Sequence, residues 1–434
     1  MIEKRALGRT GEQVSVLTFG CGAVGGLMVK GDAAEQERAA SLALEHGVNF
    51  FDTAPGYGDG VSEINLGKLL KKLKPKAIIG TKVRIPSADR GRIAARINAS
   101  LEESLGRMAR DHVDLFQLHN VLAPDGAGES LTAAQILGEV VPTFEKLREQ
   151  GKIRYLGFTA LGDIGEIDKV VAAGVMDTAQ VCMNALNPSA VAPMAAGYPA
   201  QDYKRLMARA RDAGIGTICI RVLAGGALSG EMDRHPRGWA VVPPIGSGSD
   251  YARDVERARR FRPLVEEGHA ASLAELAIRY ALAQPSLSTT QVGVATFEQV
   301  AGAIEAIEKG PLSPAALARV RDTRQRLRLC RPSSRPSPRK HGEKEKSRQP
   351  HEGAHVMPMD ANEIEKLIKA RFPGAEVTIK DLAGDGDHYA AHVVAPQFKG
   401  KTRVQQHKMV YEALEGRMGG VLHALALTTA PPKE

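Results

Sequence analysis

Residues 50–58 read FFDTAPGYG, and this stretch decides the fold. A short apolar run ends on the carboxylate of Asp52, and a Pro-Gly turn then leads to the phenol of Tyr57. Two later apolar runs end in the same way, on the ammonium of Lys82 in IIGTKV and on the imidazole of His119 in DLFQLHN. Since the carboxyl ends of parallel barrel strands share one rim, the sequence predicts that these four side chains meet at the mouth of a (β/α)8 barrel.

The rest of residues 1–325 repeats this strand-helix alternation. Eight runs rich in β-branched residues are predicted as strands, at 14–20, 49–52, 77–82, 113–119, 153–159, 178–184, 216–221 and 289–294. Helical patterns separate them, for example at 34–45, 62–73, 92–108, 133–150 and 201–213. An open Rossmann-like sheet is the alternative, but the glycine-rich stretch GCGAVGG at 20–26 matches the dinucleotide fingerprint poorly. The pattern therefore favours a closed α/β TIM barrel over an open sheet.

Composition and charge exclude several classes of protein. No run of 18 apolar residues occurs, so no membrane-spanning segment is expected, and the first residues lack the apolar stretch of a signal peptide. The four cysteines show neither metal-ligand nor disulfide spacing, which fits a reducing cytoplasm. Most of the net charge of +8 lies at 324–355, with ten Lys or Arg against three Asp or Glu. Nucleic acid is therefore not the expected partner of either folded region.

Two segments interrupt the regular pattern. The insertion Ser229–Asp250 is rich in Gly and Pro and holds the single tryptophan, Trp239. Long loops in compact domains are usually functional or disordered, so it is interpreted either as a lid that closes on a cofactor or as a surface excursion. Residues 326–356 combine Pro, Ser and basic charge without periodicity, and they are predicted to be a disordered linker.

A second, smaller domain is predicted at 357–434. Its pattern gives a helix at 361–371, strands near 376–381 and 389–394, a helix at 404–414 and a last strand at 423–427. About 78 residues suffice for a small α+β domain. The two domains are expected to act independently, because a disordered linker of about 30 residues transmits little orientation.

The four rim residues suit protonation of a carbonyl oxygen. A phenol is a weak acid with a pKa of about 10, and a nearby Lys82 ammonium is expected to lower the pKa of Tyr57. Asp52 would keep Lys82 charged, and a neutral His119 would hold the substrate oxygen beside the phenol. Taken singly, such residues are more often caps or structural ion-pair partners. Their arrangement on consecutive strand ends favours catalysis.

Residues 1–325 resemble the aldo-keto reductase family over essentially their whole length. The matching stretches are FFDTAPGYG, SEINLGKLL, GTKV, DLFQLHN, GKIRYLGFT, QVCMN and LAGGALSG. The resemblance implies NAD(P)H-dependent reduction of aldehydes or ketones. Tyr57 would be the general acid, Lys82 and Asp52 would tune it, and His119 would orient the substrate.

The same resemblance suggests where a nicotinamide cofactor would bind. The implied contacts are Gly22, Thr159, Gln180, Asn184, Arg221, Leu223, Ala224, Gly225, Leu228, Gly230, Gly293, Thr296 and Gln299. The chain departs from the family pattern at three points: Ala160 replaces a common Asn, Ile220 replaces a stacking Tyr, and no Lys or Arg is present in GVATFEQVAGA for the 2′-phosphate. We therefore expect a weakened preference for NADPH, with NADH tolerated.

Residues 357–434 resemble the BolA family, whose fold is similar to class II KH domains. The matching stretches are GDGDHYAAHVV, FKGKTRVQQHKMVYEAL and LHALALTT. The resemblance implies that His407, with His388 as the candidate second ligand, binds a [2Fe–2S] cluster shared with a monothiol glutaredoxin. His423 is assigned to structure. No cysteine follows Cys330, so the partner would have to supply the thiolates. Zero net charge argues against a KH-like role in nucleic-acid binding.

Two functions of different classes are thus predicted on one polypeptide. The main expectation is a working reductase with a small-molecule carbonyl substrate, carrying a C-terminal domain that binds glutaredoxin. The alternative is that the BolA-like part, as an iron–sulfur adaptor or transcriptional regulator, has the main role. The barrel would then be a cofactor-binding module of little turnover.

Overall fold

A computed structural model describes residues 1–195, 198, 200–240, 242, 250–329, 361–381, 388–401, 403–414 and 424–432. The chain divides into two compact units, Met1–Ser334 and Arg335–Glu434. Most of the predicted linker 326–356 lies outside the described residues, and the last helix before it runs to Leu329. None of the helices within the described ranges is both long and apolar enough to cross a membrane.

Ten strands lie in the described residues of the first unit. They are β1 (Lys4–Ala6), β2 (Gln13–Ser15), β3 (Leu17–Gly20), β4 (Phe50–Asp52), β5 (Ile78–Val83), β6 (Val113–Leu118), β7 (Ile153–Thr159), β8 (Thr178–Cys182), β9 (Gly216–Ile220) and β10 (Thr289–Gly293). Strands β3 to β10 close into a parallel barrel, with β10 pairing with both β9 and β3. This confirms the predicted TIM barrel and excludes the open sheet.

Helices connect the strands and cover the barrel. They are α1 (Leu27–Lys30), α2 (Ala33–Glu45), α3 (Val61–Leu73), α4 (Ile93–Met108), α5 (Ala133–Gln135), α6 (Val141–Glu149), α7 (Ile164–Ala172), α8 (Leu206–Asp212), α9 (Tyr251–Arg259), α10 (Arg262–Glu266), α11 (Leu273–Leu282), α12 (Phe297–Glu308) and α13 (Pro314–Leu329). Several begin at a side chain that accepts a backbone N–H, as Asp32 does for α2 and Thr296 for α12. Such N-caps fix where each helix starts relative to the barrel rim.

The end of the barrel opposite the mouth is closed by the β1–β2 hairpin. The two strands pair antiparallel, and they bring Leu7 and Val14 against the inward side chains of the barrel. These residues form a separate buried cluster with Phe50, Ile78, Leu115 and Ile218. The interior is therefore a packed core at this end and is open only at the carboxyl ends of the strands.

Three predicted elements differ from the structure. The predicted strand 14–20 is two strands, because Ser15 turns from the hairpin and its Oγ bonds the carbonyl of Leu17. The predicted helix 133–150 contains a π-helical segment, Ile136–Val140, between α5 and α6. The predicted helix 201–213 begins only at Leu206, since Lys204 and Arg205 have left-handed backbone angles.

The second unit is a small α+β domain, as predicted. It contains α14 (Ala361–Arg371), β11 (Glu376–Asp381), β12 (His388–Val394), α15 (Arg403–Ala413) and β13 (Ala424–Ala430). Strand β12 is central, antiparallel to β11 and parallel to β13. Ile364, Ile368, Val393, Phe398 and Val410 form its core, so the helices cover one face of the sheet.

Candidate active site at the barrel mouth

Asp52, Lys82 and Tyr57 form a buried hydrogen-bonded chain. Asp52 ends β4 and Lys82 lies near the end of β5, and both side chains are almost completely buried. The Lys82 Nζ donates to Asp52 Oδ2, to the carbonyl of Thr53 at 2.8 Å and to the Tyr57 hydroxyl at 3.3 Å. All three protons of the ammonium therefore have an acceptor, which fixes the charge beside the phenol.

Three glutamines surround Asp52, and two of them were missed by the sequence analysis. Gln117 and Gln180 donate to Asp52 Oδ1 at 2.7 and 3.1 Å, and Gln291 donates to Oδ2 at 2.8 Å. With Lys82, the carboxylate accepts four hydrogen bonds, which offsets the cost of burying its charge. Strand alternation carried a signal for Gln117, because it lies two residues before His119 on the same strand face.

Glycine on a neighbouring strand makes room for this amide layer. A Cβ on Gly157 would lie 2.8 Å from Gln117 Cγ and 3.1 Å from Leu115 Cδ1. Thr178 Oγ1 would lie closer still, so a side chain at residue 157 would clash with both Thr178 and Gln117. The backbone of β7 comes close to the amide layer here because this position carries only hydrogen.

His119 lies across the mouth from Tyr57. Their ring centroids are 6.2 Å apart and the rings are nearly perpendicular. Burial, with the charges of Lys82 and Arg84, lowers the pKa of His119 to about 3. The imidazole is therefore neutral near pH 7, as the sequence analysis expected, and it can share a hydrogen bond with an oxygen placed between the two rings.

The expected lowering of the Tyr57 pKa is wrong for this structure. Burial is the largest influence and raises the pKa of Tyr57, while the Lys82 charge lowers it only in part. Burial also acts to lower the pKa of Lys82, but the opposing influence of Asp52 and Tyr57 raises it above its ordinary value. Near neutral pH the site therefore holds an ammonium beside a protonated phenol.

The residues predicted at the nicotinamide end lie beside this cluster. Gln180 Oε1 accepts from Thr159 Oγ1 at 3.2 Å, so both side chains belong to the hydrogen-bonded layer under the mouth. Asn184 donates from Nδ2 to the carbonyl of Arg221 at 3.1 Å, and its Oδ1 accepts from the backbone of Leu186 and Asn187. In the structure Asn184 thus holds the two loops that follow β8 and β9.

The loop after β9 presents a buried cation. Arg221 has a φ of 59°, a left-handed conformation that costs about 1–3 kcal/mol in a residue other than glycine. Its Nη1 is buried and has no hydrogen-bond partner among the residues that the structure describes. Such an orphaned guanidinium nitrogen fits an absent anion, such as a cofactor pyrophosphate.

The other predicted residues of this loop shape its path around Arg221. Ala224, Gly225 and Gly230 all have positive φ, and Leu223 and Leu228 are joined by a backbone hydrogen bond of 3.1 Å. A Cβ on Gly225 would lie 3.2 Å from Arg221 Nη1, so the lack of a side chain there keeps the guanidinium in place. The guanidinium nitrogen and the loop backbone around it fit a bound phosphate group.

The glycine-rich segment after β3 connects Tyr57 to the loop after β10. A Cβ on Gly22 would lie 3.8 Å from the Tyr57 ring, and a Cβ on Gly293 would lie 3.6 Å from Gly25 N. Beyond Gly293, Thr296 Oγ1 caps the Gln299 N–H at 3.3 Å, and Gln299 Oε1 accepts the Ala295 N–H at 2.7 Å. In the structure Thr296 and Gln299, which the sequence resemblance places near the cofactor, therefore hydrogen-bond the backbone at the start of α12.

The described part of the predicted lid covers this segment. Trp239 N donates to the carbonyl of Ala23 at 3.2 Å, and Arg234 donates to the carbonyls of Gly225 and Val24. Arg237 reaches Glu35 in α2 and the carbonyl of Ala295. These contacts agree with a covering role for the loop, although residues 241 and 243–249 lie outside the described ranges.

The predicted metal ligands belong to the second unit. His407 lies on α15, and its Nε2 is buried with no hydrogen-bond partner in the described part of this unit. His388 is the first residue of β12, and its side chain lies outside the described set, as does the whole of His423. Within the described part of the chain, no three His, Cys, Asp or Glu side chains are grouped so as to hold a metal ion.

The barrel mouth joins a carboxylate, an ammonium, a phenol and a neutral imidazole. This arrangement agrees with the class of oxidoreductases that the sequence resembles. A family model for the aldo/keto reductase family matches residues 16–325, and a model for BolA-like proteins matches residues 374–434. The chain belongs to the aldo/keto reductase family and carries a C-terminal BolA-like domain. Both resemblances noted from the sequence are confirmed.

Named relatives agree with this assignment. The chain is 30% identical to L-galactose dehydrogenase of Arabidopsis thaliana over 314 residues, which cover 70% of this chain and 88% of the relative. It is 25% identical to the NADH-specific methylglyoxal reductase of Escherichia coli over 319 residues, which cover 69% and 91%. The holo form of an aldo-keto reductase from Bacillus halodurans superposes with a TM-score of 0.56 at 24% identity, covering 74% and 96%, which supports the fold.

Proposed function

We propose that the barrel catalyses nicotinamide-dependent reduction of aldehydes or ketones to alcohols, with Tyr57 as the general acid. The observation that carries this proposal is the buried chain from Asp52 through Lys82 to Tyr57, in which Lys82 Nζ lies 3.3 Å from the phenol oxygen. A fixed ammonium in a low-dielectric site stabilises the phenolate that forms when Tyr57 gives up its proton.

Each rim residue has one task in the proposed reaction. The neutral His119 holds the carbonyl oxygen, and Tyr57 donates its proton to that oxygen. Lys82 then faces the phenolate, and Asp52 with its three glutamine donors keeps Lys82 in position. A bound nicotinamide would supply the hydride to the carbonyl carbon. Tyr57 regains its proton from solvent before the next turnover.

The residues proposed to hold the cofactor surround Arg221. Its orphaned Nη1 would pair with the pyrophosphate, and the backbone of the loop from Leu223 to Gly230 would wrap it. Gly22 would leave room for the nicotinamide beside Tyr57. We propose that NADH is tolerated and that preference for NADPH is weak, because GVATFEQVAGA offers no cation for a 2′-phosphate. A KM for NADPH at least tenfold below that for NADH would contradict this.

Conversion of Tyr57 to Phe tests the acid assignment. The Y57F variant should lose carbonyl reduction by about 10²–10⁴-fold while retaining cofactor binding, since only the proton donor is removed. Tyr155→Phe is the matched control, because the Tyr155 hydroxyl bonds Thr10 and Glu12 next to the N-terminal hairpin. If reduction survives in Y57F, the acid is another group.

A panel of carbonyl compounds, each assayed with NADH and with NADPH, would identify the substrate. The names of the relatives justify including aldoses and 2-oxoaldehydes, and running the reaction from the alcohol side with galactose. If the folded protein turns over none of these compounds, the result would favour the alternative, in which the barrel binds cofactor with little turnover.

For the second unit, we propose that His407 helps to ligate a [2Fe–2S] cluster shared with a monothiol glutaredoxin. The buried Nε2 of His407 without a hydrogen-bond partner supports this, since a neutral imidazole nitrogen is a good ligand for iron. His388 would be the second ligand, and the partner would supply thiolates.

Mixing the chain with cluster-loaded monothiol glutaredoxin and glutathione tests this role. A change in the visible spectrum that is lost in His407→Ala and kept in His392→Ala would support it, because His392 is an exposed residue of β12. An unchanged spectrum with the native chain would count against a shared cluster.

We also propose the domains 1–325 and 357–434 with residues 326–356 between them, of which the first four continue α13 to Leu329 and the rest form a linker. Limited proteolysis should cut the basic segment first and release fragments of barrel size and of small-domain size. Persistence of the intact chain under conditions that digest a flexible linker would contradict these boundaries.

A further inference from the structure

Glu35 lies against the start of α12, where the sequence resemblance places the adenosine end of the cofactor. It lies in the first turn of α2 and is 8% exposed. Its Oε1 accepts the backbone N–H of Phe297, the first residue of α12, at 3.0 Å. Its Oε2 pairs with Arg237, which also donates to the carbonyl of Ala295 at 3.0 Å.

Contacts along the glycine-rich segment link the surroundings of Tyr57 to this ion pair. Gly22 adjoins the Tyr57 ring, and a Cβ on Gly25 would meet the backbone of Val294. Val294 leads directly to Ala295 and to the start of α12. In (β/α)8 enzymes, the loops after the last two strands and a nearby helix N-terminus commonly form a phosphate site.

Here the chain's own side chains occupy the backbone donors of that region. Gln299 Oε1 takes the Ala295 N–H, Thr296 Oγ1 takes the Gln299 N–H, and Glu35 takes the Phe297 N–H. Arg237 is paired with the same carboxylate, and the Arg38 guanidinium lies over the Phe297 ring, 5.3 Å from its centroid. A dianionic phosphate placed here would face Glu35, whereas a ribose hydroxyl could donate to it.

We propose that Glu35 determines cofactor specificity, by disfavouring the 2′-phosphate of NADP and by keeping Arg237 from binding it. This inference rests on the proposed nicotinamide-dependent function and deepens it. Glu35 was not among the residues implied by the sequence, because its contacts join three segments that are far apart in the chain. In this assignment Glu35 is a specificity residue and takes no part in proton transfer.

The test measures the dissociation constants of NAD⁺ and NADP⁺ for the full chain by titration calorimetry. Glu35→Gln removes the negative charge and keeps the shape, so the Kd for NADP⁺ should fall at least tenfold while that for NAD⁺ changes less than threefold. Glu35→Ala should shift the ratio of the two dissociation constants in the same direction, toward NADP⁺. Glu37→Gln is the matched control on the same helix, since Glu37 pairs with Lys72 on the surface, and it should leave both constants unchanged.

A second substitution tests the part assigned to Arg237. In the Glu35→Gln background, Arg237→Met should remove the gain in NADP⁺ affinity, because the freed guanidinium would be the group that binds the phosphate. The proposal would be overturned if the native chain already binds NADP⁺ tenfold more tightly than NAD⁺. It would also be overturned if both Glu35 variants leave the ratio of the two dissociation constants unchanged, or if neither nucleotide binds.

The role of Glu35 in cofactor specificity and the catalytic function can be refuted separately. If the nucleotides bind and Glu35→Gln shifts their ratio, but no carbonyl is reduced, the specificity assignment holds and the proposed catalytic function is wrong. If carbonyls are reduced and the ratio does not move, the catalytic proposal holds and the role of Glu35 is wrong.

Discussion

Replacing Lys82 by Met removes the charge on which the proposed chemistry depends. The Nζ lies 3.3 Å from the Tyr57 oxygen, and at an effective dielectric constant of about 20 an ammonium and a phenolate at that distance attract by ~5 kcal/mol. If about half of the negative charge has developed in the transition state, the barrier rises by ~2.5 kcal/mol, which is roughly 70-fold in rate. The same change leaves Asp52 buried without its counter-charge, which costs about 3–5 kcal/mol of folding free energy.

The assay must separate these two effects. Carbonyl reduction is measured as kcat, the fraction folded by urea titration, and cofactor binding by calorimetry, so that activity is expressed per folded molecule. Lys82→Arg retains a positive charge and should recover part of the lost rate. A folded, cofactor-binding Lys82→Met variant with less than a threefold loss in kcat would refute the electrostatic role of Lys82.

Two further outcomes follow from the pKa directions and from the barrel core. Because the pKa of Tyr57 is raised and that of His119 is lowered to about 3, kcat/KM for reduction should stay flat between about pH 6 and 9. Alcohol oxidation needs the phenolate, so its rate should rise with pH. A rate of reduction that already declines as the pH is raised toward about 8 would contradict this. Leu115→Ala removes a fully buried side chain from the cluster at the closed end, so the free energy of unfolding in urea should fall by about 2–5 kcal/mol. The control Ile64→Ala, at a partly exposed position, should lower it by about 0.5 kcal/mol or less. Activity per folded molecule should be unchanged in both variants. Equal losses in the two variants would mean that the closed end of the barrel is not a packed core.

The strands and the four rim residues could be predicted from the sequence because both depend on short-range patterns. Asp52, Lys82 and His119 each lie at or just beyond the end of an apolar run, and a closed parallel barrel brings such ends together. The split of the first predicted strand could not be foreseen, since the hairpin and the barrel strand share the same alternation and differ only in their pairing partners.

The parts of the site that were missed depend on contacts between distant segments. Gln117 and Gln291 reach Asp52 only in the register that the closed barrel imposes. Glu35 meets Arg237 because the loop after the last-but-one barrel strand folds over α2. The direction of the Tyr57 pKa shift also required the structure, because the extent of burial decides whether desolvation or the Lys82 charge is the larger influence.

Gly157 shows that the geometry of the proposed catalytic group depends on a residue with no side chain to contribute. Thr178, Gln117 and Leu115 fill the space beside its hydrogen, and Gln117 in turn donates to the carboxylate that anchors the ammonium. A methyl group at residue 157 would meet Thr178 Oγ1 first, so shortening Gln117 alone would not make room for it. A larger residue at this level of the inner surface would therefore require simultaneous changes on both neighbouring strands, β6 and β8.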